Sequence, residues 1–513
     1  MSDRRDFLSG LVASAAMTGC WGISPSAGTA QTGTPRKGGR IRVASVSSST
    51  ADTLDPARGA LSTDYARHYM LYSGLTQFDS NLTPQPALAE EIQEEGRILW
   101  TLKLRKGVRF HDGKPLAPTD VVYSLLRHRN PLTASKMKVV AAQFAEVRAS
   151  AANEVQIRLT APNADLPALL ADSHFLIVKD GTTDFRTAVG TGPYRCKDFN
   201  PGVRTLATRN PEYWKPNKPY LDEIELVGIA DESARVNALL SGDVQLINAI
   251  DPRSAHRIRS SPDYRLQETP SGLYTDLIMR QDARPTNDPA FVTAMKDLFD
   301  REQIASAVFR GYARLGNDQP VPPGNRYYFA GIPQRRYDPD RARFTLRKAG
   351  LLGTRLPVYC SPAAEGSVEI AALLQQSAAK VGLELAVERV PADGYWSHHW
   401  MKHPLGFGNT NPRPTVDLLF STLFKSDAPW NESGWNNERF DQLLLAARSA
   451  GDESRRKQLY ADMQVLVHEH CGVAIPAFIS LLDAYDRRLQ GYGSIPIGGL
   501  MGYSFAEHVW WTG

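Results

Sequence analysis

The segment from Leu99 to Arg129 most constrains the fold of this chain. Leu102 and Leu104 alternate with polar residues, which is typical of a half-buried strand. The pair Asp112-Gly113 predicts a turn after that strand, because Asp binds its own backbone and Gly accepts a positive φ. Pro118 then suits the first position of a helix with an apolar stripe. The segment therefore predicts a strand, a tight turn and an amphipathic helix in succession.

The same segment resembles, nearly letter for letter, the signature of the family 5 extracellular solute-binding proteins of ABC importers, the peptide and nickel binders of bacteria. Further similarity lies in Tyr72–Glu91, Gly190–Trp214 and Tyr337–Leu352. The resemblance implies an α/β fold with two lobes, the type II or Venus-flytrap periplasmic binding protein, with an additional small side domain and a hinge of two chain crossings. In that family the signature touches no ligand, so it identifies the scaffold and leaves the solute open.

The resemblance also implies where each part of the chain belongs. Six consecutive parts are expected: an export signal (1–30), the first part of lobe I (31–73), the side domain (74–182), the second part of lobe I (183–270), lobe II (271–482) and a return to lobe I (483–513). Within the side domain, Pro84 and Pro86 predict a rigid turn, and a helix is expected over Ala87–Glu91.

The N-terminus carries the pattern of an export address. Arg4-Arg5, followed by Phe7-Leu8 and a weakly apolar run, is typical of a twin-arginine signal. The run is too short to span a bilayer as a stable anchor. Two processing routes stay open, namely release after Ala30 and lipidation of Cys20 in a degenerate lipoprotein box. Either route predicts an exported, periplasmic protein.

Charge, cysteines and motifs exclude several classes of function. A formal net charge of +4 at pH 7, without a basic block, gives no case for nucleic acid or an anionic membrane as a partner. Removal of the signal leaves Cys196, Cys360 and Cys471, an odd number without zinc spacing, so at most one disulfide forms. No GxSxG, HExxH, Walker A or CxxC motif appears. The sequence therefore predicts neither an enzyme nor a cofactor.

A local unit in the second half of the chain predicts where a solute would bind. Leu356–Cys360, Ser367–Val381 and Leu383–Val387 read as strand, helix and strand, which makes a right-handed βαβ crossover with a parallel pair. Ligands of open α/β sheets collect at the carboxyl ends of the strands. The loop Ser361–Gly366 is therefore expected at the cleft.

The cleft loops differ from those of the family's dipeptide binders in their charges. The resemblance implies an Arg after the first strand of that unit and an Asp in a later Trp-x-Gly-Asp loop. Here the first loop contains Glu365 and no Arg, and the second has Asn409 or Arg413 where the Asp falls. A buried ammonium without a carboxylate partner costs several kcal/mol. A free dipeptide zwitterion is thus disfavoured, and a solute with an anionic group facing Asn409–Arg413 is favoured.

Aromatic residues near these loops suit a wall for sugars, rings or apolar side chains. Trp396 and Trp435 are the candidates among a group that also contains Trp400, Phe407 and Trp430. The resemblance implies two further candidates by their positions in the family. They are Tyr274 in the segment that crosses between the lobes and Thr50 in the loop Ser47–Pro56. The expected ligand-binding residues are Arg413, Asn409, Glu365, Trp396, Tyr274, Trp435 and Thr50.

His399 and His403 have the i,i+4 spacing that can place two imidazoles on one helical face, which would suit nickel or another metal. Apart from Asp393, the segment offers no acid or Cys as a further ligand, so no metal site is expected.

The sequence thus predicts a periplasmic binding protein that closes on one small solute, peptide-like, opine-like or a sugar-acid conjugate, and delivers it to an ABC permease and ATPase in the inner membrane. We expect a monomer. The alternatives are a sensory receptor that docks to a membrane signalling protein, a binder of nickel or metal chelates, and an enzyme acting on the same solute.

Overall fold

The computed structural model describes residues 33–512. The strands of that range are β1 (Arg40–Ser45), β2 (Thr76–Phe78), β3 (Pro84–Pro86), β4 (Ala89–Glu95), β5 (Leu99–Leu104), β6 (Phe144–Ala151), β7 (Glu154–Leu159), β8 (Tyr194–Asn200), β9 (Arg204–Arg209), β10 (Glu223–Gly228), β11 (Leu246–Ile247), β12 (Tyr264–Met279), β13 (Ala313–Leu315), β14 (Arg355–Cys360), β15 (Glu384–Arg389), β16 (Leu405–Thr410), β17 (Val473–Ala474), β18 (Ala477–Asp486), β19 (Leu489–Gln490) and β20 (Trp510–Trp511). The helices are α1 (Ser62–Leu71), α2 (Pro118–Leu126), α3 (Lys138–Ala141), α4 (Leu166–Leu169), α5 (Glu232–Leu240), α6 (Ala255–Arg259), α7 (Pro289–Asp297), α8 (Arg301–Gln303), α9 (Pro339–Lys348), α10 (Ser367–Lys380), α11 (Tyr395–His398), α12 (Val416–Leu423), α13 (Glu438–Ser449) and α14 (Glu453–His470).

One large sheet organises most of these elements. Its strand order is β15-β14-β16-β12-β18-β11-β1-β10-β9-β8. The antiparallel pair β12 and β18 lies in the middle, with β14–β16 on one side and β1 and β8–β11 on the other. We call the side that contains β1 lobe I and the side that contains β14 lobe II. The buried apolar side chains of the two sides form separate clusters, so each lobe has its own core.

A smaller sheet forms the side domain. Its four antiparallel strands follow the order β4-β5-β7-β6, and α2 packs against it through Val121 and Leu125. The predicted strand, turn and helix are confirmed here as β5, a turn in which Gly113 has φ of 86°, and α2 beginning at Pro118. The His111 ring contacts the Gly192 carbonyl at 3.1 Å, which gives this residue a structural role in the turn.

The prediction of a helix over Ala87–Glu91 is wrong, because this stretch leads into strand β4. β4 pairs with β5 and places Ile92 opposite Leu102. Helix propensity is a weak preference that tertiary pairing overrides. Pairing also buries Ala89 completely in the side-domain core.

The predicted βαβ crossover of lobe II is confirmed. β14 and β15 pair in parallel, with Leu356 opposite Leu385, and α10 connects them. Gly382 supports the return from α10 with φ of 86°, a left-handed value that favours glycine. The loop 361–366 therefore leaves the carboxyl end of β14, as expected.

The predicted export signal and Cys20 lie outside the described residues. Cys196, Cys360 and Cys471 are all free thiols. Between residues 33 and 512, no helix has the length and apolar character needed to cross a membrane.

Candidate functional site

Two loops of lobe II meet at the carboxyl ends of their strands. β14 leads into the loop that carries Glu365, and β16 carries Asn409 at its end. Thr275 of β12 joins them, because its hydroxyl donates to the backbone carbonyl of Glu365 at 2.6 Å and accepts from the Asn409 amide at 2.9 Å. The structure thus brings Glu365 and Asn409 together, as the sequence predicted.

Glu365 lies where lobe II faces Asp251 of lobe I, and we call this region between the lobes the crevice. Burial raises the pKa of its carboxyl to about 7, and the charge of Asp251, which follows β11 in lobe I, acts in the same direction. The side chain nevertheless reaches solvent, which is the combination expected in a narrow water-filled crevice. The Glu365 carboxylate has no hydrogen-bond or ion-pair partner within residues 33–512.

Arg413 follows β16 in lobe II and is half-buried. Its guanidinium carbon lies 5.4 Å from the centre of the Trp430 ring. Burial lowers its pKa, opposed by Tyr274, by Asp172 and by Tyr65 of α1 in lobe I. No carboxylate of the described chain lies within ion-pair distance of Arg413. The crevice therefore presents a partly desolvated cation, which is what an anionic ligand group requires.

Three tryptophans continue from Arg413 along lobe II. The ring of Trp430 lies 6.5 Å from that of Trp400, which lies 5.9 Å from Trp396. Trp396 and Trp430 are each 43% exposed. The Trp400 indole donates to the buried carboxyl of Glu432 at 2.6 Å, which fixes the middle ring. Exposed indoles in a row suit the apolar or planar part of a solute.

Behind this row, Asp276 and Glu432 are both buried. Burial raises the pKa of Asp276 well above its usual range, and the neighbouring Glu432 raises it further. Two contacting buried carboxyls favour the arrangement in which they share a proton. The pair supports the wall from inside the lobe and is closed to solvent.

Two predicted site residues lie in the core. Trp435 is 5% exposed and packs against Phe440, with 5.2 Å between the ring centres. Tyr274 is 1% exposed and packs against Phe478. Neither ring offers a surface to a solute, because each is enclosed by the apolar cluster of lobe II. Their sequence neighbourhood suggested the cleft, whereas burial depends on contacts distant in sequence.

Thr50 is exposed in the loop between β1 and α1, beside Gly202. None of its described hydrogen bonds joins it to Arg413, Asn409 or Glu365.

Sequence reasoning missed the residues that lobe I and the side domain contribute near Arg413. Tyr65 packs edge-on against His174 and Tyr503, with ring centres 5.5 and 5.3 Å apart. His174 and Asp172 form an ion pair of 2.7 Å. These residues come from three distant segments, so no local pattern connects them. The glycine-rich run Gly498–Tyr503 was the one available signal of an unusual turn.

The histidine alternative gains no support. His399 and His403 lie 3.1 Å apart, nitrogen to nitrogen, and the His403 ring stacks on Tyr359 at 3.5 Å. Throughout residues 33–512, no group of three or more His, Cys, Asp or Glu side chains is arranged to hold a metal ion.

Two lobes joined by paired strands, with an arginine that has no ion-pair partner in the described chain and exposed indoles beside it on lobe II, are the arrangement of a two-lobed solute-binding protein. The profile described as "Bacterial extracellular solute-binding proteins, family 5 Middle" matches residues 83–432. The chain belongs to this family, the binding components of ABC importers.

Similar proteins agree with this assignment. The dipeptide-binding protein of Escherichia coli K12 is 26% identical over 474 residues, covering 83% of this chain and 87% of that protein. The glutathione-binding protein GsiB of E. coli K12 is 26% identical over 478 residues, with 89% and 92% covered. The structure of AgaA from A. tumefaciens R10 in complex with agropinic acid has a TM-score of 0.75 at 21% identity, covering 93% of this chain and 99% of AgaA.

Proposed function

We propose that this protein captures a small solute bearing a carboxylate or another oxyanion, and that Arg413 binds this group in the crevice. The solute is peptide-like, opine-like or a sugar-acid conjugate. The guanidinium of Arg413, which lies beside Trp430 and has no ion-pair partner among residues 33–512, is the observation that carries the proposal. Asn409 and Glu365 supply polar contacts at the strand ends, and Trp396 extends the apolar wall.

The protein acts in the periplasm as a monomer and releases its solute unchanged to an ABC permease and ATPase complex in the inner membrane. Family membership supports this role. The positions of the predicted export signal and of Cys20 are consistent with periplasmic location, with lipidation of Cys20 as the alternative to a freely diffusing form.

The paired strands β12 and β18 form the hinge in this proposal. Their pairing shifts register between Thr269 and Leu273, at the point where β12 passes from lobe I to lobe II. An irregular pair bends more easily than a regular one, because fewer ladder hydrogen bonds resist the change. The position supports lobe boundaries near residues 270 and 482. The separate sheet β4-β5-β7-β6 supports a side domain at 74–182.

The named relatives suggest the solute class. A dipeptide, glutathione and agropinic acid all carry carboxylates, and proteins similar to this chain are named for binding them. This chain has no Arg in the loop after β14. Arg413, which follows β16, takes over the recognition of the anionic group.

Calorimetry tests this proposal. Native mass spectrometry of freshly purified protein identifies the retained solute, and its affinity is then measured for wild type and Arg413→Ala. Loss of a charge-assisted pair predicts a fall of about 100-fold. Arg347→Ala, an exposed change on α9 of the same lobe, is the matched control and retains full affinity. Equal affinity of Arg413→Ala and wild type would remove Arg413 from the site, and recovery of a chemically altered solute would contradict simple binding.

A further inference from the structure

A buried carboxyl of lobe II anchors Trp400, the middle ring of the tryptophan wall. The indole N–H of Trp400 donates to Oε1 of Glu432 at 2.6 Å, and Glu432 is 5% exposed. The rings of Trp396 and Trp430 each pack edge-on against Trp400, with ring centres 5.9 and 6.5 Å from it. A displacement of Trp400 would therefore move both exposed rings of the wall.

A second buried carboxyl, that of Asp276, lies against Glu432. Asp276 of β12 pairs with Gly408 of β16 and is 1% exposed. A Cβ atom at Gly408 would overlap Oε1 of Glu432 and would lie 2.8 Å from Oδ1 of Asp276. Both oxygens therefore occupy the space that this glycine leaves free, on one face of β16.

The positions of the two carboxyls determine which of them carries a proton. Contact between like charges and burial both disfavour ionisation of the pair. Within residues 33–512, no N–H or hydroxyl group donates to either oxygen of Asp276, whereas Glu432 accepts from Trp400. A hydrogen bond to the charged form favours that form. The shared proton therefore lies on Asp276 and is donated to the Glu432 carboxylate.

Other titratable groups face the pair from the neighbouring elements. Three of them are weak acids, namely Tyr274, Tyr395 and Cys471. Burial raises the pKa of both tyrosines well above the usual 10 and that of the cysteine to about 11. The Arg280 guanidinium is paired with Asp282 and donates to the backbone carbonyl of Glu432 at 3.4 Å. Lys296 donates to the backbone carbonyl of His468 at 2.8 Å, and burial lowers its pKa to about 8.

We propose that Asp276 and Glu432 are positioning residues that hold Trp400 in the solute-binding wall, and that loss of their shared proton releases the wall. The proposal rests on the proposed function, since it concerns the same wall. Without the proton, two buried carboxylates repel each other and separate. Trp400 then loses its fixed acceptor, and the exposed rings lose their spacing. The ordered wall favours the protonated pair, so solute affinity falls as pH rises through the titration of the pair.

Nitrogen-15 labelling of the tryptophans tests the anchor without any solute. The indole N–H signal of Trp400, assigned by its absence in Trp400→Phe, is followed from pH 5 to pH 10. In wild type we expect a step that Asp276→Asn lacks, because the Asn amide donates permanently to Glu432. Titration of Lys296 and of histidines is a background common to both proteins. A signal without a step in wild type, or the same step in both proteins, overturns the inference.

Calorimetry at pH 7 and pH 10 measures the consequence for binding. The probes are glutathione, agropinic acid and the solute that copurifies with wild type. We expect the affinity of wild type to fall about fivefold relative to Asp276→Asn over this range. Glu432→Leu, which removes the acceptor, causes a similar loss at pH 7. Glu432→Gln restores most of this affinity, because its amide oxygen still accepts from Trp400. Glu438→Gln, an exposed change on α13 of the same lobe, is the matched control and keeps the wild-type profile.

The outcomes separate this inference from the proposed function. Parallel pH profiles of wild type and Asp276→Asn, or equal affinities of wild type and Glu432→Leu, overturn the inference and leave the role of Arg413 standing. If no probe binds wild type, or if Arg413→Ala binds normally, the proposed function fails, and the indole signal still decides whether the pair positions Trp400. The melting temperature of each variant is measured alongside, and the conservative variants Asp276→Asn and Glu432→Gln decide the outcome if Glu432→Leu does not fold.

Discussion

Two arginines lie where lobe II meets the rest of the chain, and their surroundings are opposite. Arg456 of α14 donates to Asp165 of the side domain at 2.6 Å and to the hydroxyls of Tyr327 and Tyr460 at 3.0 and 3.2 Å. Its side chain is 6% exposed. Arg413 has an indole on one face and, within residues 33–512, no ion-pair partner and no hydrogen-bond acceptor; the nearest charge acting on it is that of Asp172.

The difference separates a structural contact from a binding group. A buried charge is tolerated when its partners replace water, and Arg456 meets that condition. In the proposed function, Arg413 meets it only when the anionic group of a solute binds. The contrast therefore separates an interface that is complete in the unliganded chain from one that the proposal leaves open for a solute.

The same substitution at both positions is expected to have opposite effects. Arg456→Met leaves Asp165 buried without its cation, so the free energy of unfolding falls by about 3 to 5 kcal/mol. Arg413→Met removes a partly desolvated cation that lacks a partner, so the stability of the unliganded protein stays the same or rises slightly. Urea denaturation of the two variants, with Arg347→Ala as the surface control, measures both changes. Equal destabilisation of the two variants would break the comparison.

Asp483 is an intermediate case, with one oxygen paired and the other without a partner. Burial raises its pKa from the usual 3.8 to about 6, opposed by hydrogen bonds from Tyr492 and Leu500. The folded state therefore carries a costly charge above pH 6 that the unfolded state carries freely. The contribution of Asp483 to stability falls as pH rises from 4 to 7, by at most about 3 kcal/mol.

Asp483→Asn removes this dependence. Unfolding free energies of wild type and variant are compared at intervals from pH 4 to pH 7, and the wild type is expected to lose stability relative to the variant across that range. Parallel profiles would show that the Asp483 carboxyl titrates at its ordinary pKa.

A substitution at Trp430 is expected to have the smallest effect on solute binding, and it tests how far the surroundings of Arg413 matter. A cation over an indole at a partly exposed site contributes about 0.5 to 1 kcal/mol. Trp430→Leu is therefore expected to weaken solute binding about threefold by releasing Arg413 from its position. Trp396→Leu is the matched variant, equally exposed but separated from Arg413 by Trp400. A larger loss for Trp396→Leu, measured by calorimetry, would place the solute further along the wall.

The sequence predicted those features whose causes are local. The turn at Asp112-Gly113 and the crossover around α10 follow from residues that lie next to one another, and both are present. The helix predicted over Ala87–Glu91 is absent, because pairing of β4 with β5 decides the conformation of this stretch. The large family resemblance supplied the two-lobed architecture that local patterns alone do not specify.

The candidate site residues also divide into those whose position has a local cause and those whose position does not. The proximity of Asn409 and Glu365 could be predicted, because strand ends at one sheet edge meet by topology. Trp435 and Tyr274 could not be separated from Trp396 by sequence, since burial depends on contacts with residues distant in the chain. Tyr65 and Tyr503 come together through folding of distant segments, and only the glycines around Leu500 marked the turn in advance.

A crystal structure of the protein with its copurified solute tests the central claim most directly. We expect solute density between the lobes, with an anionic oxygen about 3 Å from the Arg413 guanidinium. A bound solute whose charged group lies elsewhere, while Arg413 contacts solvent alone, would contradict it.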